Sequence, residues 1–185
     1  MDIKIIHRKL SVDEYHKMVE AGILHEDDRV ELINGQIVEM SPIGSRHIAC
    51  VNKTTSVLTR LLGDTVIVSV QNPVRISDFS EPEPDFSLLK YREDFYANNT
   101  PEPEDILWLI EVADSSWEYD TEIKLPLYAQ AGMREVWIID LNRNEIRVHQ
   151  KPVDDIYSLR SIYRPGEQVI LPSQQISLEV DQLLL

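Results

Sequence analysis

The sequence predicts an α/β fold, in which a central β-sheet is flanked by helices, and three observations predict it. Two continuous apolar runs, Ile106-Leu107-Trp108-Leu109-Ile110 and Val136-Trp137-Ile138-Ile139, have the composition of strands buried on both faces. A helical stretch from about Trp117 to Ala131 lies between them. Upstream, the apolar residues Ile48, Val51, Val57, Leu58, Leu61 and Leu62 recur at helical spacing. With 185 residues the chain has the size of one ordinary domain, and a single domain over 1–185 is expected.

The elements follow in order. Ser11-Val12-Asp13-Glu14 reads as a capping box that opens a short helix through about Glu20, and Gly22 marks its stop. Asn34-Gly35 between Val30–Ile33 and Gln36–Glu39 is a strong hairpin signal, which sets Glu31 on a strand near a turn. The long amphipathic helix runs up to Gly63-Asp64. The β-branched run Thr65 to Val70 and the extended Pro73 to Ile76 predict two strands or one interrupted strand.

Phe79 to Pro84 forms a stiff, acidic lead-in to a strand over Asp85–Leu89. Lys90 to Glu104, polar and carrying Asn98-Asn99, Pro101 and Pro103, reads as a mobile surface loop able to cover a site. Pro126 is expected to kink or divide the helix over 117–131, and Gly132 stops it. Asn142-Arg143-Asn144 turns the second buried strand into Glu145–His149 as a hairpin. The rest alternates turn signals, Arg164-Pro165-Gly166 and Leu171-Pro172-Ser173, with short strands before an apolar tail, Val180 to Leu185.

Composition excludes several classes. No stretch approaches the roughly 20 apolar residues of a membrane span, and Met1 to Leu10 lacks the apolar centre of a signal peptide, so a cytoplasmic location is expected. The single cysteine, Cys50, allows neither an intrachain disulfide nor a cysteine-based zinc site. The five histidines show no metal-ligand spacing, and only His47 is a candidate site neighbour. Phosphate-binding glycine loops and the serine-hydrolase elbow are missing. A net charge of −14 argues against a broad basic surface. Arg46, Lys53 and Arg60, seven apart, form the best candidate phosphate stripe.

The chemistry centres on Asp85 and Glu111. Asp85 follows a proline at a strand start and Glu111 ends an apolar run, so adjacent strands would bring both carboxylates to one sheet edge, where they suit a hard divalent cation. The competing readings are a surface acid for Asp85 and a solvent-facing or arginine-paired carboxylate for Glu111. Lys124 follows on the next helix, with Asp120 four residues before it and Tyr128 four after. Its ammonium would orient water and stabilise developing charge, or else form an ordinary helix pair with Asp120.

The order Glu31 in E-L-I-x-G, His47, Gln71, Pro84-Asp85, Glu111-Val112, Lys124 and Tyr128 to Asp140 resembles the Uma-two family of "putative restriction endonucleases", within the PD-(D/E)XK nuclease superfamily. The likeness runs from about Leu10 to Asp140. It implies a restriction-endonuclease-like mixed central sheet between helices and metal-dependent cleavage of DNA, with Asp85 and Glu111 as ligands of Mg²⁺ or Mn²⁺. It also implies Lys124 as the water-orienting cation, because Ala113 occupies the usual lysine position two residues after Glu111. Glu31 would be an auxiliary acid that reaches the metal as an additional carboxylate, and Gln71 a residue that positions water or phosphate; the competing readings are a cross-strand polar residue and a loop amide. A homodimer is expected because two cuts in a duplex require two sites. The alternative is a catalytically silent nuclease-fold module that binds nucleic acid or protein, favoured by Ala113 and the acidic charge.

Overall fold

The computed structural model describes residues 7–25, 27–172 and 176–185, so Ser173 of the last expected turn and the first six residues lie outside it. The two apolar runs become the centre of a sheet: β5 (Ile106–Ala113) and β6 (Glu135–Asp140). They pair in parallel, with Glu111 opposite Ile138. A parallel neighbour needs a crossover, and the helical stretch between them supplies it. On one side of this pair lie β3 (Val66–Val70) and β4 (Phe86–Lys90), and on the other β7 (Glu145–Val153) and β8 (Ile156–Tyr163). The order β3-β4-β5-β6-β7-β8 is antiparallel except at β5-β6, a mixed six-stranded sheet.

Alternation along β5 divides the core. Trp108, Ile110 and Val112 face α2 (Ser45–Leu62), which buries Cys50, Val51, Val57, Leu58 and Leu62 against them. Leu109 faces the opposite side, where Leu127, Tyr128 and Met133 cover it. Trp108 and Trp137 are core residues, 1% and 0% exposed. The apolar tail, Val180, Leu183 and Leu184, completes the α2 side.

Local signals set the smaller elements. The Ser11 side chain accepts from the Glu14 N–H and the Glu14 carboxylate from the Ser11 N–H, which opens α1 (Val12–Glu20). Asn34 and Gly35 take φ of 52° and 80°, the two left-handed positions of a tight hairpin turn, joining β1 (Val30–Ile33) to β2 (Gln36–Glu39). A second small sheet pairs β9 (Gln168–Ile170) with β10 (Ser177–Glu179).

Three expectations are corrected. Residues 73–76 form no sheet strand: Val74 and Ile76 donate instead to the carbonyls of Pro82 and Ser80, a local pairing that holds the acidic lead-in in place. The loop over residues 90–104 joins the far ends of β4 and β5. Because these strands are antiparallel, that loop lies a strand length, about 17 Å, from Asp85 and covers nothing there. Lys53 donates to the carbonyls of Asp181 and Leu184, and Arg46 to that of Leu141, so two of the three stripe residues also tie down the tail and the β6–β7 turn, while Arg60 is exposed.

Candidate metal and catalytic centre

The carboxylates meet where the ladder stops. The last pair of β4 and β5 is Phe86 with Ile110, so the next residues, Asp85 and Glu111, face each other just beyond it. The Val112 N–H therefore has no strand partner on that side, and the Asp85 Oδ2 accepts it at 2.8 Å. In return the Asp85 N–H donates to Glu111 Oε2 at 3.2 Å. Two further groups hold Asp85: His47 Nε2 lies 3.0 Å from Oδ2, and Gln71 Nε2 donates to Oδ1 at 3.1 Å. Gln71 reaches it because its backbone takes φ of 51° at the end of β3, turning the chain back toward Asp85.

Alternation sets Glu111 on the face of Leu109, beneath the crossover helix. That helix is composite: α3 (Trp117–Tyr119), a π-helical turn Asp120–Lys124 and α4 (Leu125–Gln130). Leu125 N–H bonds the Asp120 carbonyl five residues back, and Pro126 sits in the first turn of α4. The division expected at Pro126 thus takes the form of a widened turn. Asp120 and Lys124 both point inward from it, 4% and 5% exposed.

Lys124 Nζ lies 3.4 Å from Glu111 Oε1 and 3.4 Å from Glu31 Oε2, and it donates to the Glu83 carbonyl at 3.0 Å. The pairing with Asp120 foreseen from spacing does not form, since the Asp120 carboxylate accepts from Ser116 Oγ at 2.6 Å. Glu31 arrives because Leu32 of β1 bridges Glu81, which brings the Glu83 N–H within 2.9 Å of Glu31 Oε2. Ala113 is buried on the same face as Glu111 but carries only a methyl group. The ammonium over that face is instead Lys124, supplied by the helix.

Two residues had no assigned role in the sequence reading. Tyr128 OH donates to Glu111 Oε1 at 2.6 Å, and Tyr119 OH donates to Glu31 Oε1 at 2.7 Å. Tyr128, one helical turn after Lys124, was visible by spacing. Tyr119 was not, because the π-turn shifts the register that would have revealed it.

A cleft of about 510 Å³ opens onto these groups, lined by Glu31, His47, Gln71, Asp85, Glu111, Asp120 and Lys124 among others. Burial pushes the Glu111 carboxyl up to about 8, with Asp120 and Asp85 adding repulsion and Lys124 pulling the other way. Asp120 rises to about 6 for the same first reason. Burial and Glu31 raise Glu83. Burial opposes the charge on Lys124, but Glu111, Glu31, Asp120 and Asp85 outweigh it and hold the ammonium charged. Burial also opposes a charged His47, yet its bond to Asp85 prevails and raises it. Burial and the facing carboxylates keep the Tyr119 and Tyr128 phenols protonated, so both remain donors.

Among the described residues, no group of three or more His, Cys, Asp or Glu is arranged to hold a metal ion. Asp85 and Glu111 offer two hard oxygen ligands, which suits Mg²⁺, an ion that keeps waters and takes substrate oxygens for the rest of its shell. The carboxylates Glu31, Glu83, Asp85, Glu111 and Asp120 outnumber the single buried ammonium, which also suits a divalent cation.

The sequence profile of the Uma2 family, described as "Putative restriction endonuclease", matches residues 12–181. The chain belongs to this family. No functionally curated protein matches the Uma2 chain. Among solved structures it is similar to a crystal structure titled as a "putative nuclease" from Anabaena variabilis, with a TM-score of 0.72 over 94% of this chain and 97% of that one. Sequence identity is 19%, so the likeness is one of fold. No helix among the described residues is long and apolar enough to cross a membrane.

Proposed function

We propose that this Uma2 protein is a Mg²⁺- or Mn²⁺-dependent DNA endonuclease of the PD-(D/E)XK type, acting in the cytoplasm as a homodimer whose two sites cut the two strands of a duplex. The observation that carries the proposal is the convergence of Asp85, Glu111 and Lys124, with Lys124 Nζ 3.4 Å from Glu111 Oε1. The family and the fold neighbour support a nuclease.

Asp85 and Glu111 would hold the cation, which would supply Lewis-acid polarisation of the scissile phosphate and a more acidic water. His47, Gln71 and the Val112 N–H keep Asp85 in place, and Tyr128 does the same for Glu111. Lys124 donates hydrogen bonds to the attacking water and to the phosphoryl oxygens as negative charge develops on them. Glu31, itself held by Tyr119 and the Glu83 N–H, acts as the auxiliary acid that keeps the Lys124 ammonium charged and aimed.

Nicking of supercoiled plasmid DNA in Mg²⁺ or Mn²⁺ tests this directly. Wild type should nick, a chelator should stop it, and Asp85→Ala, Glu111→Ala and Lys124→Ala should each lose about 100-fold or more. Unchanged nicking in all three would sink the site. DNA binding without cleavage by folded wild type would instead favour the silent nuclease-fold module.

A further inference from the structure

Beside the carboxylate cleft lies a cluster that the proposed chemistry does not use. At the end of β6, Asp140 is 2% exposed and its Oδ2 accepts from Arg143 at 3.1 Å and faces Arg147 at 3.8 Å. Glu145, 4% exposed, pairs with Arg147 at 2.8 Å and with Arg164 at 3.3 Å. The carboxylates of this ladder are inside and the guanidiniums outside: the Arg143 and Arg164 side chains are 56% and 66% exposed, whereas Arg147 is 14% exposed. The Arg143 and Arg147 guanidiniums lie 5.1 and 4.5 Å from the centre of the Trp117 ring, close enough for cation–π attraction to orient them.

The ladder continues to the cleft. Arg46, 52% exposed, bonds Asp114 at 3.0 Å and Asn142 at 3.3 Å, and Asp114 lines the cleft with Ser115 and Ser116, the residues just before Trp117. Glu167, whose carboxylate accepts from the Arg164 N–H, marks the far limit. A guanidinium has five N–H donors in a planar fork that matches phosphate oxygens. Among the described residues, Arg143 and Arg164 each have a single side-chain ion-pair contact, which leaves outward donors on both. Buried carboxylates and Trp117 hold them in advance, which lowers the ordering cost of binding an anion.

We infer that the Arg46–Arg143–Arg164 ridge is the surface that tracks the phosphodiester backbone of the nucleic acid substrate beside the cleft, with Arg147 as its internal brace. The inference rests on the nuclease reading. It locates the phosphate contacts on the first turn of α2, the β6–β7 turn and the end of β8, on a chain whose net charge of −14 otherwise opposes nucleic acid.

The test is fluorescence anisotropy with labelled duplex DNA, single-stranded DNA and duplex RNA, using the full-length Lys124→Ala protein in Mg²⁺ so that the probe stays intact. Arg143→Ala and Arg164→Ala, added singly, should weaken binding severalfold and lower the slope of log K against log salt by about 1 each. Arg143→Lys should keep the slope while binding less tightly than Arg143, because charge survives and the fork does not. Lys90→Ala, exposed at the end of β4 far from Asp85, should leave binding unchanged. If folded Arg143→Ala and Arg164→Ala proteins bind like their parent at every salt concentration, the ridge is not the contact surface, and the nuclease reading stands. If the parent binds none of the three probes, the nuclease reading and the ridge fall together. Duplex DNA should bind most tightly, and tighter binding of duplex RNA or of single-stranded DNA would overturn the ridge as a contact surface for duplex DNA.

Discussion

A carboxylate pushed up to about 8, such as Glu111, binds its proton more tightly in the folded chain than in the unfolded one. Between the ordinary carboxylate range and pH 8 the folded state therefore carries the extra proton, and the stability of metal-free protein falls as pH rises through that window. Tyr128 works against the shift, since its bond at 2.6 Å favours the ionised carboxylate. Tyr128→Phe should therefore move the acid limb of the pH–rate profile for nicking to higher pH and lower kcat about tenfold near pH 7. The same substitution with an unchanged pH limb would reduce Tyr128 to packing. At Lys124 the surrounding carboxylates fix the opposite behaviour, an ammonium that stays charged throughout this range. Lys124→Ala also removes the charge that holds Glu111 down, so its loss, measured from pH 6 to 9, should be larger at the acid end of that range.

Elements with local causes were legible in the chain, and those with non-local causes were not. The capping box, the Asn34-Gly35 turn and the two apolar runs each carry their physics within a few residues, and each formed as expected. The π-turn did not announce itself, because Pro126 signals an interruption without saying whether the helix kinks or widens. The loop over residues 90–104 looked like a cover only while the direction of β4 against β5 was unknown. Asp85, Glu111, Lys124 and Glu31 were singled out from the chain, but the Tyr119–Glu31 bond depends on the hairpin β1–β2 docking across Glu81. Gly35, at the tip of that hairpin, packs against the segment before α1, accepting from the Leu10 N–H and donating to the Phe79 carbonyl. A Cβ there would lie 2.6 Å from Lys9 Cβ and 3.0 Å from its Cα, and its φ is +80°. Gly35→Ala should cost about 2 kcal/mol or more in urea unfolding, against about 1 kcal/mol for a strained turn alone. It should also depress nicking by loosening Glu31, whereas an unaltered midpoint would show that the hairpin yields without cost.

Taken as one charged body, the molecule sets −14 against the polyanionic substrate proposed for it, so for that function the cleft must gain positive charge before a phosphate can enter. A divalent ion at the proposed site on Asp85 and Glu111 would supply it and would ease the carboxylate repulsion that adds to burial in raising Glu111 and Asp120. Anything that binds the native state alone stabilises it, by about 2.7 kcal/mol at a free concentration of 100 Kd. For 185 residues this corresponds to a rise in Tm of roughly 5–10 °C. The ion must displace the Glu111 proton, so the rise should be smaller at pH 6 than at pH 8.5. Glu111→Gln, which has no such proton to lose and one ligand charge fewer, should show a weak shift with no pH dependence. Thermal unfolding in Mg²⁺ and Mn²⁺ at the two pH values measures all of this without any cleavage assay. A shift equal at both pH values, or retained in full by Glu111→Gln, would mean that the cation binds elsewhere on the acidic surface.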